Sequence, residues 1–436
     1  MADMFLGKSS GKPRVVIIGG GFGGVNVGRH LRNEDVEVVM IDKHNYHTFQ
    51  PLLYQVAIGA IEADAVGFPI RRIFTGYKNF AFHMAEVQKI NADTSSVSTS
   101  LGDIHYDYLV IATGANTNYF GNKEIEHFTM PMKNIPEALN IRSSVLQNLE
   151  KAAVTADKAE RDALLTFVVV GGGPTGAELS GALAEMRTNM LCKDFPDLKP
   201  DDMKVYLAEG KPKLIAAMSE QASVKAKEFL SDMGVIIYND VHVTSYNGDE
   251  LKIDNGVTVR TKNVFWAAGV KGEVPEGISQ DIVVRGARIQ TDEISRVKGY
   301  QNVFAIGDVA AMITPDSPEG HPGVAPVAIQ QGAHLAKNII NIIKGQKTEP
   351  FKYHDKGSLA TIGRNKAVAD LGKLHFQGFF AWLIWMFVHV MSLAGFSNKL
   401  VVFCNWVINY FTKNTDNRLI IRYFNKETMM TEPVAK

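Results

Sequence analysis

Cysteine is scarce in this chain: Cys192 and Cys404 are the only two, far apart and without CxxC spacing. That excludes a dithiol reductase centre and a cysteine-ligated zinc site. The histidines show no HxxxH spacing, so no metal is expected. An excess of charge is missing too, since 46 Lys plus Arg balance 46 Asp plus Glu, and nothing points to nucleic acid as a partner. Residues 1–12 hold no apolar h-region, so no secretory signal is expected and the globular part is expected in the cytoplasm. Low-complexity linkers are absent. What is present is 436 residues, 46% hydrophobic, with 38 glycines. That length suits about three domains or subdomains at ~150 residues each, with a core that needs no disulfide or metal. The composition excludes a disordered or collagenous chain.

The glycines are concentrated at two turns. Val15-Val16-Ile17-Ile18 runs into Gly19-Gly20-Gly21-Phe22-Gly23-Gly24, followed by a helix-compatible stretch and a second β-branched run closed by Asp42 and Lys43. Gly19, Gly21 and Gly24 fit G-x-G-x-x-G: a tight turn, close backbone approach to a pyrophosphate, and close helix–strand packing. Asp42 stands where an acid meets ribose hydroxyls. The pattern returns at Phe167-Val168-Val169-Val170, then Gly171-Gly172-Gly173-Pro174-Thr175-Gly176. Its acid, Glu209, comes later than usual, because residues 187–202 read as a polar insertion. Glu209 favours an unphosphorylated ribose, hence NADH over NADPH, a preference that Lys211 and Lys213 soften. Each unit is followed by a strand ending in small residues: Ala112-Thr113-Gly114 for the first, Ala268-Gly269 for the second. The chain thus carries one long internal repeat.

A further buried-strand pattern ends at Gly307-Asp308, and apolar spacing predicts a helix over 327–344. Two dinucleotide folds followed by Gly-Asp imply two bound dinucleotides, one of them FAD, with Asp308 reaching its ribityl or pyrophosphate portion. The expected fold is α/β with two Rossmann-like domains: residues 1–120 and 273–350 bind FAD, and an inserted 121–272 binds NADH.

The run His47-Thr48-Phe49-Gln50-Pro51-Leu52-Leu53-Tyr54-Gln55-Val56-Ala57, with Gly173 to Glu178, Ala325 to Gln331 and residues 357–368, resembles the type II (alternative, non-proton-pumping) NADH:quinone oxidoreductases of the two-dinucleotide-binding-domain flavoproteins. The resemblance spans about residues 13–425. It implies hydride transfer from NADH to FAD, then two electrons and two protons to a membrane quinone. It also implies that Glu178, in the first turn of its helix, passes a proton or orders the nicotinamide; the competing reading is an acid complementing a helix N-terminus. Ala325 and Ala328 open a helix aimed at the flavin. The family pattern there has two glutamines near the quinone; Gln330 matches one, and Pro326 replaces the other. Lys373 is a further candidate on the quinone side, or else a solvated loop lysine. A sulfide:quinone enzyme and a non-turnover flavin- and NADH-binding membrane protein are the alternatives, the first disfavoured by the cysteines.

Residues 351–436 form the expected anchor. The apolar run 379–396 sits at the lower limit for a spanning helix. Over 400–412, Asn398, Asn405, Asn409 and Thr412 share one helical face, opposite Val402, Phe403, Trp406, Val407 and Phe411. This suggests a helix lying in the membrane interface, wet side out, with Trp382, Trp385, Phe387, Trp406 and Phe411 in lipid. Lys413, Arg418, Arg422 and Lys426 would face anionic headgroups. The location expected is the cytoplasmic side of the inner (plasma) membrane, peripheral or monotopic; a homodimer interface built from the same helices is the alternative.

Overall fold

The structure, a computed structural model, describes residues 11–315, 317–413, 417–420 and 423–424. The chain is α/β and divides into two units: Met1–Thr48, Gly67–Asn116 and Val270–Lys356 form the first, and Phe49–Val66, Thr117–Gly269 and Gly357–Lys436 the second.

The first unit is built on a five-stranded parallel sheet in the order Val303–Ala305, Tyr108–Ile111, Arg14–Ile18, Glu37–Asp42, Phe80–Met84. Its central strand is buried on both faces, as a parallel sheet covered by helices requires. The helix Phe22–His30 packs on the helix Ala325–Ile343. They meet so closely that a Cβ on Gly332 would lie 2.5 Å from the Gly23 carbonyl oxygen. The second helix begins two residues before its expected start and ends one residue before its expected end.

The second unit repeats the plan: Met130–Pro131, Asn263–Trp266, Thr166–Val170, Lys204–Ala208 and Val235–Tyr238, all parallel. Two pieces join it that the sequence reading placed elsewhere. The helix Leu53–Ala57 buries all five residues and packs on the helices Ile135–Val154 and Pro174–Met186, so the segment 49–66 belongs here and not with the first glycine turn. The tail is not a separate body: its antiparallel sheet (Ser358–Gly363, Lys366–Leu371, Leu374–Gln377) lays its first strand on the helix Pro174–Met186, where a Cβ on Gly181 would collide with the Ile362 carbonyl. The insertion 187–202 is less polar in place than in sequence, because Met190, Leu191 and Leu198 are buried.

The tail helices differ most from expectation. The run 379–396 is not one helix: Gly378–Ser392 ends, Gly395 turns the chain at φ +79°, and Phe396–Thr412 begins. Among the described residues, no helix is long and apolar enough to cross a membrane. The faces of the last helix also divide differently: Val402 and Trp406 are buried on the side of the asparagines, while Phe403, Val407, Phe411 and Thr412 are exposed. Asn398 donates to the carbonyls of Asp64 and Ala65 at 3.0 and 3.1 Å, and Asn409 donates to that of Ala60 at 2.9 Å. Asn398 and Asn409 therefore turn toward the protein, where partly buried backbone carbonyls take their donors. Trp385 and Trp406, expected in lipid, are 2% and 8% exposed. Of the same expected set, Phe387 and Phe411 are exposed, together with Phe380, Phe396 and Phe403. Of the expected basic residues, Arg418 pairs with Asp194, while Arg422 and Lys426 lie outside the described residues.

Candidate functional site

Both glycine turns are shaped for a dinucleotide. Gly19 sits at φ +106°, and a Cβ there would strike the Ala112 backbone, so only glycine fits. A Cβ on Gly24 would run into the Gly19 carbonyl, whereas one on Gly21 would meet nothing within 4 Å: the second glycine faces open ground. Gly21 caps the helix without any side-chain cap, leaving the first-turn N–H groups of Phe22, Gly23 and Gly24 directed at that space. Asp42 accepts from Gly20 N at 2.6 Å and from His44 N at 2.7 Å. Each carboxylate oxygen keeps a lone pair for a ribose hydroxyl, so the acid both clamps the turn and fits the expected contact. Burial raises its pKa, against the pull of those N–H groups. His47 Nδ1 lies 2.9 Å from the Gly20 carbonyl, and its ring meets Phe22 edge-on at 4.9 Å, bracing the same turn.

The rest of the expected flavin set falls in this unit. Thr113 Oγ1 donates to the Glu273 carbonyl at 2.6 Å, Lys43 pairs with the Glu273 carboxylate at 3.1 Å, and Gly114 sits at φ +75°. Gly307, at φ +71°, donates its N–H to Gln331 Oε1 at 2.8 Å, and Asp308 follows, partly buried. A Cβ on Gly307 would touch the Ala328 methyl at 3.4 Å, which explains a small residue at 328. Ala325 and Pro326 open their helix. Gln330 uses both ends of its amide on the His354 backbone, at 3.0 Å each. Gln331, at 2% exposure, was the glutamine the sequence reading missed as a support for the Gly307 turn.

The second turn copies the first. Gly171 lies at φ +106° against Ala267 and Ala268, a Cβ on Gly176 would strike the Gly171 carbonyl, and Gly173 faces open space. Pro174 and Thr175 are exposed at the helix start. Glu209 accepts from Gly172 N and, at 2.8 Å, from Lys211 N, the same clamp that Asp42 makes. Gly269 closes the neighbouring strand end at φ +148°. These residues fit NADH as the first set fits FAD.

Glu178 lies one residue beyond the first turn of the helix Pro174–Met186, which holds no acid there. Complementing the helix terminus is therefore not its role. It is 8% exposed and accepts from Thr361 N at 3.4 Å. Burial pushes its pKa up to about 8, opposed by that N–H and by the Trp385 indole facing it. Glu178 lines a cavity of about 150 Å³ inside the second unit, together with Tyr54, Gln55, Glu185, Trp385 and Trp406. Glu185, two helical turns on, accepts a hydrogen bond from Arg364 N, and burial raises its pKa as well. Trp385 Nε1 is buried and faces the Glu178 carboxyl without closing a hydrogen bond of ordinary geometry. Apart from Glu178, the sequence reading assigned none of these residues to a site; the FQPLLYQVA run and the aromatic tail were the signals available. Lys373 is exposed in the turn between Lys366–Leu371 and Leu374–Gln377.

Residues 13–332 match the pyridine nucleotide-disulphide oxidoreductase family, and residues 355–413 match the NDH2 C-terminal domain. The family's disulphide has no counterpart here, since Cys192 and Cys404 are both free. Type II NADH:quinone oxidoreductase NdhA of Mycobacterium tuberculosis is 38% identical over 418 residues, covering 92% of this chain and 87% of that one; Ndh of the same organism is 36% identical. The fold resembles NDH2 from Plasmodium falciparum in complex with NADH, with TM-score 0.85 at 21% identity over 94% of this chain and all of that one. It also resembles the sulfide:quinone oxidoreductase of Aquifex aeolicus, with TM-score 0.69 at 19% identity over 92% of this chain and 96% of that one. With both glycine turns, the C-terminal domain and near full-length identity in agreement, the chain belongs to the type II NADH:quinone oxidoreductases, enzymes that work with FAD and NADH.

Proposed function

We propose that the protein oxidises NADH and reduces a membrane quinone, without pumping protons, and that the quinone head group enters the second unit's cavity. FAD, when bound, supplies the redox chemistry, taking a hydride from NADH and passing two electrons on. The chain's own residues bind, orient and supply protons. The turns at Gly19 and Gly171 hold the two pyrophosphates, with Asp42 and Glu209 beside the riboses.

The observation that carries the quinone reading is the cavity wall. Aromatic rings surround a buried indole N–H and, facing it, a carboxyl that still holds its proton at neutral pH. A neutral ring with carbonyl oxygens fits such a wall, and a reduced one needs protons there. Glu178 gives one as charge develops on the oxygen, which a group titrating near the working pH does well. Gln330 is occupied with His354, and the cavity gives the quinone an alternative to it.

The membrane reading rests on the outward phenylalanines of the two tail helices. Each contributes on the order of 1 kcal/mol or more when it enters an apolar phase. A second copy of the chain on the same face is the alternative, separated by sedimentation. We place the protein peripherally on the cytoplasmic side of the inner membrane, where NADH is at hand. Steady-state kinetics of the purified protein with NADH, NADPH and a short-chain quinone test the activity. Quinone-dependent NADH oxidation, with NADH preferred, is expected; NADH oxidation that no quinone accelerates overturns the reading.

A further inference from the structure

Three buried side chains beside the cavity form a chain of hydrogen bonds with only one possible direction. Trp406 Nε1 donates to Gln55 Oε1 at 2.7 Å, and Gln55 Nε2 donates to Tyr54 Oη at 2.8 Å. All three residues are at most 8% exposed. An indole N–H can only donate. The Gln55 oxygen must therefore face Trp406, and its NH2 must face the tyrosine. Tyr54 Oη is left as the acceptor, with its own proton unassigned. Among the described residues the hydroxyl makes no second hydrogen bond. It lines the cavity and feels the carboxyl groups of both Glu178 and Glu185. A second donor lies on the same wall, Trp385 Nε1, which is buried and faces the Glu178 carboxyl.

We infer that Trp406 and Gln55 act as positioning residues that hold the Tyr54 hydroxyl as an obligate donor into the cavity, where it and Trp385 Nε1 bind a carbonyl oxygen of the occupant and so favour the oxidised quinone over the quinol. This rests on the quinone reading of the cavity. The physical reason for the preference is that a carbonyl oxygen only accepts. A quinol hydroxyl brought to two donors must place its own proton elsewhere, and a buried donor left unpaired in a dry site is costly. Reduction therefore weakens the contact that held the substrate, and product leaves. Trp406 sits on the helix Phe396–Thr412, whose other face exposes Phe403 and Phe411. Seating that helix thus also sets the donor.

Four variants of the full-length holoenzyme test this at pH 8, with flavin content and thermal unfolding checked for each: Tyr54→Phe, Gln55→Glu, their double, and Ala182→Phe, which fills the cavity from its wall. The Gln55→Glu carboxylate accepts from Trp406 and from Tyr54 alike, turning the tyrosine proton away from the cavity. Each of the first two variants is expected to raise the quinone KM by about tenfold, the size of one lost buried hydrogen bond. The inhibition constant of the quinol should change much less. The double variant should be no worse than Tyr54→Phe alone, because Gln55 acts only through that hydroxyl. Additive effects, or an unchanged KM in Gln55→Glu, overturn the relay. If Gln55→Glu does not fold, Gln55→Met carries the same non-additivity test. Ala182→Phe separates this inference from the reading beneath it. A quinone KM untouched by filling the cavity removes the quinone from it, and the relay with it. A KM raised by Ala182→Phe but not by the Tyr54 and Gln55 variants overturns the relay alone.

Discussion

Replacing Glu178 by glutamine keeps the shape of the side chain and removes its exchangeable proton. Burial moves the group from an ordinary 4.5 to about 8. At roughly 1.4 kcal/mol per unit, ionising it in place costs about 5 kcal/mol more than in water. At pH 7 about nine in ten of these carboxyls therefore hold a proton. Anaerobic stopped-flow mixing, first with NADH and then with a short-chain quinone, reads the two half-reactions separately from pH 6 to 9.5. In the unmodified protein, reoxidation by quinone should hold steady to about pH 8 and then fall by up to tenfold per unit as the donor ionises. In Glu178→Gln it should be slower by about 10²-fold at pH 7, the typical worth of a positioned general acid, and flat with pH in this range. Stability gives an independent reading. Between about pH 4.5 and 8 the folded state holds a proton that the unfolded chain has released, so this group's contribution falls as pH rises through that window. The glutamine variant should lack that slope and gain on the parent as pH rises to 8. A glutamine variant with the parent's reoxidation rate at pH 7 and the same fall above pH 8 refutes the assignment.

Glu209→Gln should narrow the preference for NADH over NADPH by about tenfold in kcat/KM, through the loss of one charged hydrogen bond to the ribose; a parent protein that already prefers NADPH contradicts the role given to Glu209. Gly24→Ala drives a methyl into the Gly19 carbonyl and should lower the flavin-to-protein ratio after gel filtration and destabilise the first unit by about 1–3 kcal/mol, read by thermal unfolding; full flavin occupancy in that variant argues against a pyrophosphate at this turn. Changing Phe380, Phe387, Phe403 and Phe411 together to serine should abolish flotation with liposomes, through the loss of several kcal/mol of apolar transfer, while turnover with a water-soluble quinone persists; flotation unchanged, with a dimer falling to monomer in sedimentation, assigns that face to a second copy.

The parts of this molecule that could be read from its sequence are those whose cause is local. A glycine at φ +106° before a helix, with another where the helix crosses its own strand, is demanded by contacts within a few residues, and it recurs wherever a dinucleotide turn is built. The helix Ala325–Ile343 was equally legible, because its apolar spacing is its own. Glu178 could be picked out but not placed: a single residue of helix phase separates an acid at the terminus from an acid in a cavity wall. The allegiance of residues 49–66 depends on helices that begin more than eighty residues later. The inward side of the tail is hidden from the sequence for the same kind of reason. Its asparagines looked like a wet face because polarity alone was considered. What turns them inward are the carbonyls of residues 60, 64 and 65, more than three hundred residues upstream, which need donors and find them in Asn409 and Asn398. With that face committed inward beside Val402 and Trp406, only the narrower stripe of Phe403, Val407 and Phe411 remains of the expected apolar face to meet an apolar phase.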